Sequence, residues 1–571
     1  MRKRDCGLQG RYNGAVRCLT LGALLSAAPW LMAQEIPEVG DVLQQLPQVP
    51  PVVRSEPGLP EVGGIPLEPP MEQLPDDAPK ILVNGFDMEG NTVVGRNRLL
   101  TILEGEAGKR HTLAELEELA RRLSNYYRSQ GYFLARAYLP AQEVVDGVIR
   151  FRIVEGQYGE FDLVNDSRVQ DDIIQGVLSR ASEADVVSVQ SLERALLLLN
   201  DLPGVQVSRA DAQPGQVPGT SDFAIGTDRT PGTNGYVVAD NHGLKSTGEN
   251  RLSASLDINS PFQRGHRLGL TGLVTEDGNL INGRVEVSSL LSSSGLQGDI
   301  ALAQTRYELG DEFKSLEAEG EALSVVAGLS YPVIRSSGRN LNVGLSRTYR
   351  QLTDEVGVVD VEVSKRVNSF AVDTLFRQER VIFAIPTLLS SALTYTVGDL
   401  DIRDDLALMI DQAPGGPQTQ GTFSRLNLDT TVSVLLPMSL QTTVSVRGQK
   451  GLDRNLDGSE RMGLAGASGV MAYPSGEFSG RDAALARLEF SRRLPSFAGL
   501  EHQAQLFGNV GRGQRAKDDE WRTLGDAGIG WSFSHGQGLF LRTYAAARLT
   551  SEARSEKTSR VNFLAQLGWV F

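Results

Sequence analysis

At 571 residues the chain is too long for one ordinary domain, and roughly two to four folding units are expected. A net charge of -14 argues against nucleic acid as a partner. The two cysteines, Cys6 and Cys18, leave the rest of the chain without thiol, disulfide or cysteine metal site.

Residues 1–33 open with Arg2, Lys3 and Arg4 and then run apolar from 19 to 33, the layout of a secretory signal. Cleavage is expected near Gln34, although Leu31 stands three residues before that cut, where a small residue is usual. No cysteine follows to take a lipid. Removing Arg2, Lys3, Arg4, Arg11 and Arg17 against Asp5 takes away +4, so the mature charge is about -18. No later stretch approaches the ~18 continuous apolar residues of a spanning helix, so a membrane form must be a closed barrel.

Residues 34–79 are crowded with proline, including Pro47, Pro50, Pro51, Pro57, Pro60 and Pro66, and read as an extended segment. Within it, Val39, Val42, Leu43 and Leu46 have helical spacing, which predicts a short helix over 37–46.

Residues 80–157 and 158–232 read as two small α+β modules of one architecture. The first has a strand at 81–83, a helix at 96–106 and a helix at 112–130 opened by Thr112 with Glu115 in a capping box. Strands are expected at 134–144 and 147–155. The second repeats the order, with a strand at 160–164, helices at 169–179 and 188–201, and strands at 205–210 and 221–227.

From 233 to 571 the chain alternates in segments of about ten to thirteen residues. Leu252, Ala254, Leu256 and Ile258 would face lipid while Ser253, Ser255, Asp257 and Asn259 face a lumen. Val285 with Val287, Leu426 with Leu428, and Leu488 with Phe490 repeat the pattern. The alternation predicts about sixteen antiparallel strands, with short links at 260–265, 292–295, 335–339, 437–438, 495–499 and 535–538. Longer links are expected near 310–321, 353–363, 401–421, 451–481, 513–521 and 551–559. The turn within 378–386 is unclear. Phe563, Ala565, Leu567, Trp569 and Phe571 share one face, as a closing strand requires, with Trp569 and Phe571 as the closing signal. A soluble sandwich would alternate too, but would not require the short and long loop rhythm.

Gly131-Tyr132-Phe133, Ala135-Arg136-Ala137-Tyr138-Leu139-Pro140-Ala141-Gln142, Gly147 and Val154-Glu155-Gly156 resemble the first polypeptide-transport-associated (POTRA) module of two-partner secretion transporters, the haemolysin and filamentous-haemagglutinin secretion proteins. The resemblance continues through Asp240-Asn241-His242-Gly243, Gly448-Gln449, Asn455-Leu456-Asp457 and the sixth-loop segment 466–477. It implies an outer-membrane pore with its POTRA modules in the periplasm, passing an unfolded exoprotein outward. The implied partners are that exoprotein, the outer-membrane lipids and the barrel-assembly machinery during insertion; no cofactor is implied. Tyr132, Phe133, Arg136, Tyr138, Pro140 and Gln142 become the candidate capture residues, on an edge strand 135–144 beside the helix 112–130. Packing of the module is the competing role for Tyr132, Tyr138 and Pro140. An assembly factor of the same superfamily is the alternative function, disfavoured because only two modules precede the barrel. A passive porin is disfavoured because it has no use for capture modules.

The sixth loop departs from the family pattern. It reads Val470-Met471-Ala472-Tyr473-Pro474, with Met471 where the family carries arginine, and the wall segment Phe507-Gly508-Asn509-Val510-Gly511 has Asn509 where the family has aspartate. Loss of both charges together is physically reasonable, because a lone buried charge is costly. The loop is therefore expected to be held by packing and neutral hydrogen bonds. Val446-Arg447-Gly448 spells the family motif too, but lies on the preceding strand and reads as coincidence. Asp453, Asn455, Asp457 and Gly458 imitate a calcium loop, yet Leu464 stands where its Glu belongs. Five histidines without metal-ligand spacing, no phosphate loop and no nucleophile elbow leave catalysis unexpected.

Overall fold

A computed structural model describes residues 37–44, 46, 59–60, 63, 79–497, 499–536, 538–554 and 559–571. The expected signal at 1–33 and most of the proline-rich segment lie outside the described residues.

The alternating region forms sixteen strands: β1 (Thr233–Asp240), β2 (Arg251–Asn259), β3 (Arg267–Thr275), β4 (Leu280–Leu290), β5 (Gln297–Glu308), β6 (Ala318–Arg335), β7 (Arg339–Val356), β8 (Val361–Ile382), β9 (Ile385–Ile402), β10 (Gly421–Leu436), β11 (Leu440–Gly451), β12 (Asp482–Phe497), β13 (Leu500–Gln514), β14 (Arg522–His535), β15 (Leu539–Arg548) and β16 (Val561–Val570). Each pairs antiparallel with the next, and β16 pairs with β1, so the sheet closes and leaves no edge. Period two decides which side chains go where. Leu252, Val285, Val287, Leu426, Leu428, Leu488, Phe490, Leu567 and Trp569 stand exposed on the outer wall, while Ser253 and Arg251 are buried within.

The closing seam is short, from Gln566 opposite Asp240 to Val570 opposite Tyr236. Phe571 and Gly235 extend it by exchanging two main-chain hydrogen bonds of 3.0 Å. Gly235 admits no side chain, since a Cβ there would lie 2.2 Å from the Ser255 oxygen. At the other end, Asn241 takes over where β1 stops: its amide donates to Phe563 O at 2.9 Å and accepts from Ala565 N at 2.7 Å.

Two connections differ from expectation. The link expected at 353–363 shrinks to 357–360, because β7 and β8 stay paired up to Val356 and Val361. The turn left open within 378–386 is the two-residue link Phe383–Ala384, with φ of 50° and 64°. Such turns normally take Asn-Gly, so two residues without that chemistry gave no signal.

Each POTRA module has a three-stranded sheet in which the last strand lies centrally. In the first, Val148–Val154 lies between Gly85–Glu89, parallel, and Arg136–Tyr138, antiparallel. In the second, Thr220–Arg229 lies between Gln157–Asn165, parallel, and Val205–Pro214, antiparallel. Helices α2 (Arg96–Ile102) and α3 (Leu113–Ser129) cover the first sheet, α4 (Asp171–Ser182) and α5 (Val189–Asn200) the second. The Thr112/Glu115 capping box is present. Helix α2 stops at Ile102 rather than 106, where Gly105 at φ +83° turns the chain. The strand expected at 134–144 is only Arg136–Tyr138, since Pro140 cannot donate to a ladder.

Candidate functional site

The predicted short helix exists as α1 (Val39–Leu43), and it lies inside the barrel. Val39 and Val42 are fully buried among Leu273, Leu280, Tyr307 and Leu352 from the wall. The Val39 N–H donates to Asp354 Oδ1 at 2.8 Å, and Tyr307 donates to the same oxygen at 2.6 Å. Asp354 is two residues from the long-loop end of β7, so α1 sits toward that end. Lys365 Nζ ties three segments together, 2.7 Å from Glu38 and 3.0 Å from Asp457 of the sixth loop. Gly40 packs so closely on that loop that a Cβ would lie 2.3 Å from Ser459 N. Helix α6 (Asp405–Gln412) from the fifth long link adds Ala407 and Leu408 above the same cluster.

The sixth loop, 452–481, folds into the lumen. Glu460, almost wholly buried, is matched by Arg350 at 2.7 Å and Arg425 at 3.0 Å. The calcium-like residues are absorbed structurally: Asp457 pairs with Lys365, Asp453 accepts from Ser424, and Asn455 donates to Pro417 O at 2.8 Å. Val470, Met471, Ala472 and Tyr473 pack in one cluster with Phe507, Leu485 and Leu564, and Gly511 makes room for Val470. The Tyr473 hydroxyl donates to Ser551 O at 2.6 Å. Pro474 follows at the rim and is half-buried.

Asn509 acts as a relay between Arg487 and Asp526. Arg487, Asn509 and Asp526 lie abreast on β12, β13 and β14. Arg487 Nε donates to Asn509 Oδ1 at 2.7 Å, Asn509 Nδ2 donates to Asp526 Oδ1 at 2.7 Å, and Asp526 Oδ2 accepts the Ala472 N–H at 2.8 Å. The expectation of neutral bonds alone is thus corrected: a carboxylate one strand further on receives the loop. Reading the family motif pointed only at the strand of Asn509. The signal for Asp526 was an acidic residue at the register position directly across from it. Arg447, set aside as coincidence, also reaches the loop by donating to Ser468 O.

Between helix, loop and wall a cavity of about 510 Å³ remains, lined by Arg251, Arg425, Arg447, Arg487 and Arg542, with Asp240 paired to Arg251 at 2.8 Å.

At the short-turn end the second module docks directly on the barrel. Arg335, the last residue of β6, grips Asp201 with two bonds of 2.6 and 2.9 Å. Ser260 donates to Pro203 O at 2.6 Å, and Ser337 N donates to Glu193 at 3.0 Å.

The structure separates the candidate capture residues of the first module. Tyr132 packs edge-on against Tyr127, and Phe133 turns into the core of the second module, where it helps join the two. Burial, together with a hydrogen bond to Glu155 at 2.8 Å, keeps the Tyr127 phenol well above its ordinary pKa and so a neutral donor. Gln142 stands in for the missing strand, accepting from Arg150 N at 2.9 Å and donating to Arg150 O at 2.8 Å. Arg136 and Tyr138, exposed on the short edge strand, line a cleft of about 580 Å³ between the modules; Pro140 ends the strand.

Comparison with known proteins matches residues 81–156 to the ShlB-type POTRA domain and residues 219–533, more than half of the chain, to the haemolysin secretion/activation protein ShlB/FhaC/HecB. Heme/hemopexin transporter protein HuxB of Haemophilus influenzae (strain 86-028NP) is 27% identical over 522 residues, covering 90% of each chain. Outer membrane transporter CdiB of Dickeya dadantii (strain 3937) is 27% identical over 172 residues, 30% of each chain. The solved structure of CdiB from Escherichia coli has the same fold, with a TM-score of 0.71 and 17% identity over 100% of both chains. CdiB from Acinetobacter baumannii gives 0.65 and 14% over 98% of both. A closed sixteen-strand barrel, two POTRA modules at its mouth and a family match through both regions make this chain a member of the ShlB/FhaC/HecB haemolysin secretion/activation family, an outer-membrane transporter of two-partner secretion.

Proposed function

We propose that the exoprotein is captured unfolded at the POTRA edges, enters the barrel as α1 withdraws from the lumen, and leaves along the arginine-lined wall. The observation that carries this reading is the pair of lumen segments: α1 and the sixth loop block the pore with the chain's own residues. A permanent pore needs no such plug, and a packed plug of this kind is removable because it joins the wall by side chains and not by strand pairing. The exoprotein is of the haemolysin or haemagglutinin kind, an adhesin or toxin. Capture at Arg136–Tyr138 proceeds by strand addition, in which main-chain bonds give affinity without demanding a particular sequence. The exposed aliphatic belt meets outer-membrane lipid, and the barrel-assembly machinery inserts the closing strand through Trp569 and Phe571. Transport draws on folding of the exoprotein outside the cell and on no cofactor.

A comparison of proteins released to the medium with and without the gene tests this, together with deletion of residues 80–157 alone. Loss of one large exoprotein in both strains is expected. An unchanged medium with many outer-membrane proteins depleted would move the assignment to barrel assembly. The long match to HuxB favours a second reading of the cargo, an exoprotein that engages haem or hemopexin. Growth with haem–hemopexin as sole iron source, lost on deletion, is its readout.

A further inference from the structure

We infer that the arginine-walled cavity in the lumen is a binding site for a small multivalent oxyanion of the phosphate class, and that this anion holds the lumen segments in place. The site stands on geometry; its effect on opening rests on the reading of α1 and the sixth loop as a plug.

The lining is unbalanced in charge. Six arginines, Arg251, Arg425, Arg447, Arg461, Arg487 and Arg542, line the cavity against the single carboxylate of Asp240. Asp240 is taken by Arg251 at 2.8 Å, and Arg425 is matched by Glu460 at 3.0 Å. The other four make no ion pair among the described residues. Arg447, Arg461 and Arg487 donate only to neutral oxygens: Ser468 O, Leu456 O at 3.0 Å and Asn509 Oδ1 at 2.7 Å. Arg542 makes no hydrogen bond among the described residues, and its guanidinium lies 4.9 Å from the centre of the Phe540 ring. Asp429, opposite Arg447 in register, and Glu489, two residues beyond Arg487, stay outside the lining.

Strand register gathers these cations. Arg542, Gln566, Asp240 and Arg251 stand abreast on β15, β16, β1 and β2. Arg487 is opposite Ser445, two residues from Arg447, so Arg447 and Arg487 share a face of the wall. Two nitrogens of lining residues, Arg487 Nη2 and His242 Nε2, are buried without a hydrogen-bond partner.

A guanidinium presents its donors in a rigid fork that matches the oxygens of phosphate. A halide brings one charge and no such oxygens, whereas one multivalent oxyanion serves several forks at once. The volume of about 510 Å³ falls within the range of roughly 300–1,000 Å³ usual for small-molecule sites. The pairing of β16 with β1 closes the wall, so the anion arrives from solution and not as a lipid headgroup.

The site also depends on the plug. Gln44 and Leu46, just beyond α1, and Met462 and Ser468 of the sixth loop complete its lining. Withdrawal of those segments dismantles it, so an anion bound there shifts the equilibrium toward the plugged form.

The test titrates the full-length protein, in detergent micelles free of phospholipid and in chloride buffer of fixed ionic strength, with inorganic phosphate by calorimetry. Saturable binding is expected, weakened more than about tenfold by Arg447→Gln with Arg542→Gln, since charge-assisted bonds are lost. Should the double variant lose the compact form on gels, Arg542→Gln alone, which removes no hydrogen bond to the protein, is expected to weaken binding as well. In planar bilayers, phosphate at about ten times its measured Kd is expected to lower the opening frequency of the parent about 11-fold, and chloride at equal ionic strength is not. Absence of saturable binding, undiminished binding in a folded variant, or bound phosphate without effect on opening would overturn the inference. An opening frequency unchanged by deletion of residues 37–46 would instead remove the plug reading, and the titration then decides the site alone.

Discussion

Asn509 Nδ2 and Asp526 Oδ1 are 2.7 Å apart on neighbouring strands, and the other oxygen of Asp526 holds the main chain of the sixth loop through Ala472. A carboxylate in the wall therefore still anchors this loop, displaced by one strand and reached through an amide. The loop contributes a backbone N–H where the family pattern has an arginine.

Asp526→Ala removes the acceptor of a buried N–H and of a buried amide, each costing about 1–3 kcal/mol when left unmade. A lowered temperature of conversion from the compact to the unfolded form on gels, with reduced secretion, is the expected outcome.

Met471→Arg alone adds a cation to a lumen already lined by Arg447 and Arg487, and is expected to damage assembly. Combined with Asn509→Asp, which supplies a carboxylate but gives up the amide bond to Asp526, it is expected to recover part of the folded yield. Equal folded yields for the single and double variants would sink this account.

Lys365→Met leaves Asp457 buried without its ammonium, a loss of about 3–5 kcal/mol for a broken buried pair. Glu38, about half exposed, contributes only about 0–1 kcal/mol to the same site, so Glu38→Ala is expected to be mild. Single-channel recordings should show frequent opening for Lys365→Met and near-parental closure for Glu38→Ala.

Arg335→Ala breaks the two-bond grip on Asp201, worth about 1.5–3 kcal/mol as a charge-assisted pair. The distance distribution between spin labels on α5 and the barrel is expected to broaden. Exchanging the two charges, Arg335→Asp with Asp201→Arg, is expected to narrow it again.

Gln142→Ala leaves both polar groups of Arg150 without the side chain that completes the sheet edge. Faster hydrogen exchange in Val148–Val154, with the rest of the first module protected as before, is the expected reading.

What the sequence by itself determined is what depends on neighbours in the chain. Period-two alternation is local, so the strands, their count and their outward faces were legible, as were the capping box at Thr112 and the aromatic end at Trp569 and Phe571. The two modules were legible because each repeats one order of elements. Tertiary structure decided what depends on distant partners. Val39 meets Asp354 across 315 residues, and nothing near 37–46 says that this helix has a lumen to fill. Asp526 became an anchor only because strand register sets it opposite Asn509, and Gln142 became a strand substitute only because Pro140 ends its own strand early. Gly63 bridges Asp211, some 150 residues later in the chain, by main-chain hydrogen bonds alone, a contact that leaves no mark in side-chain chemistry.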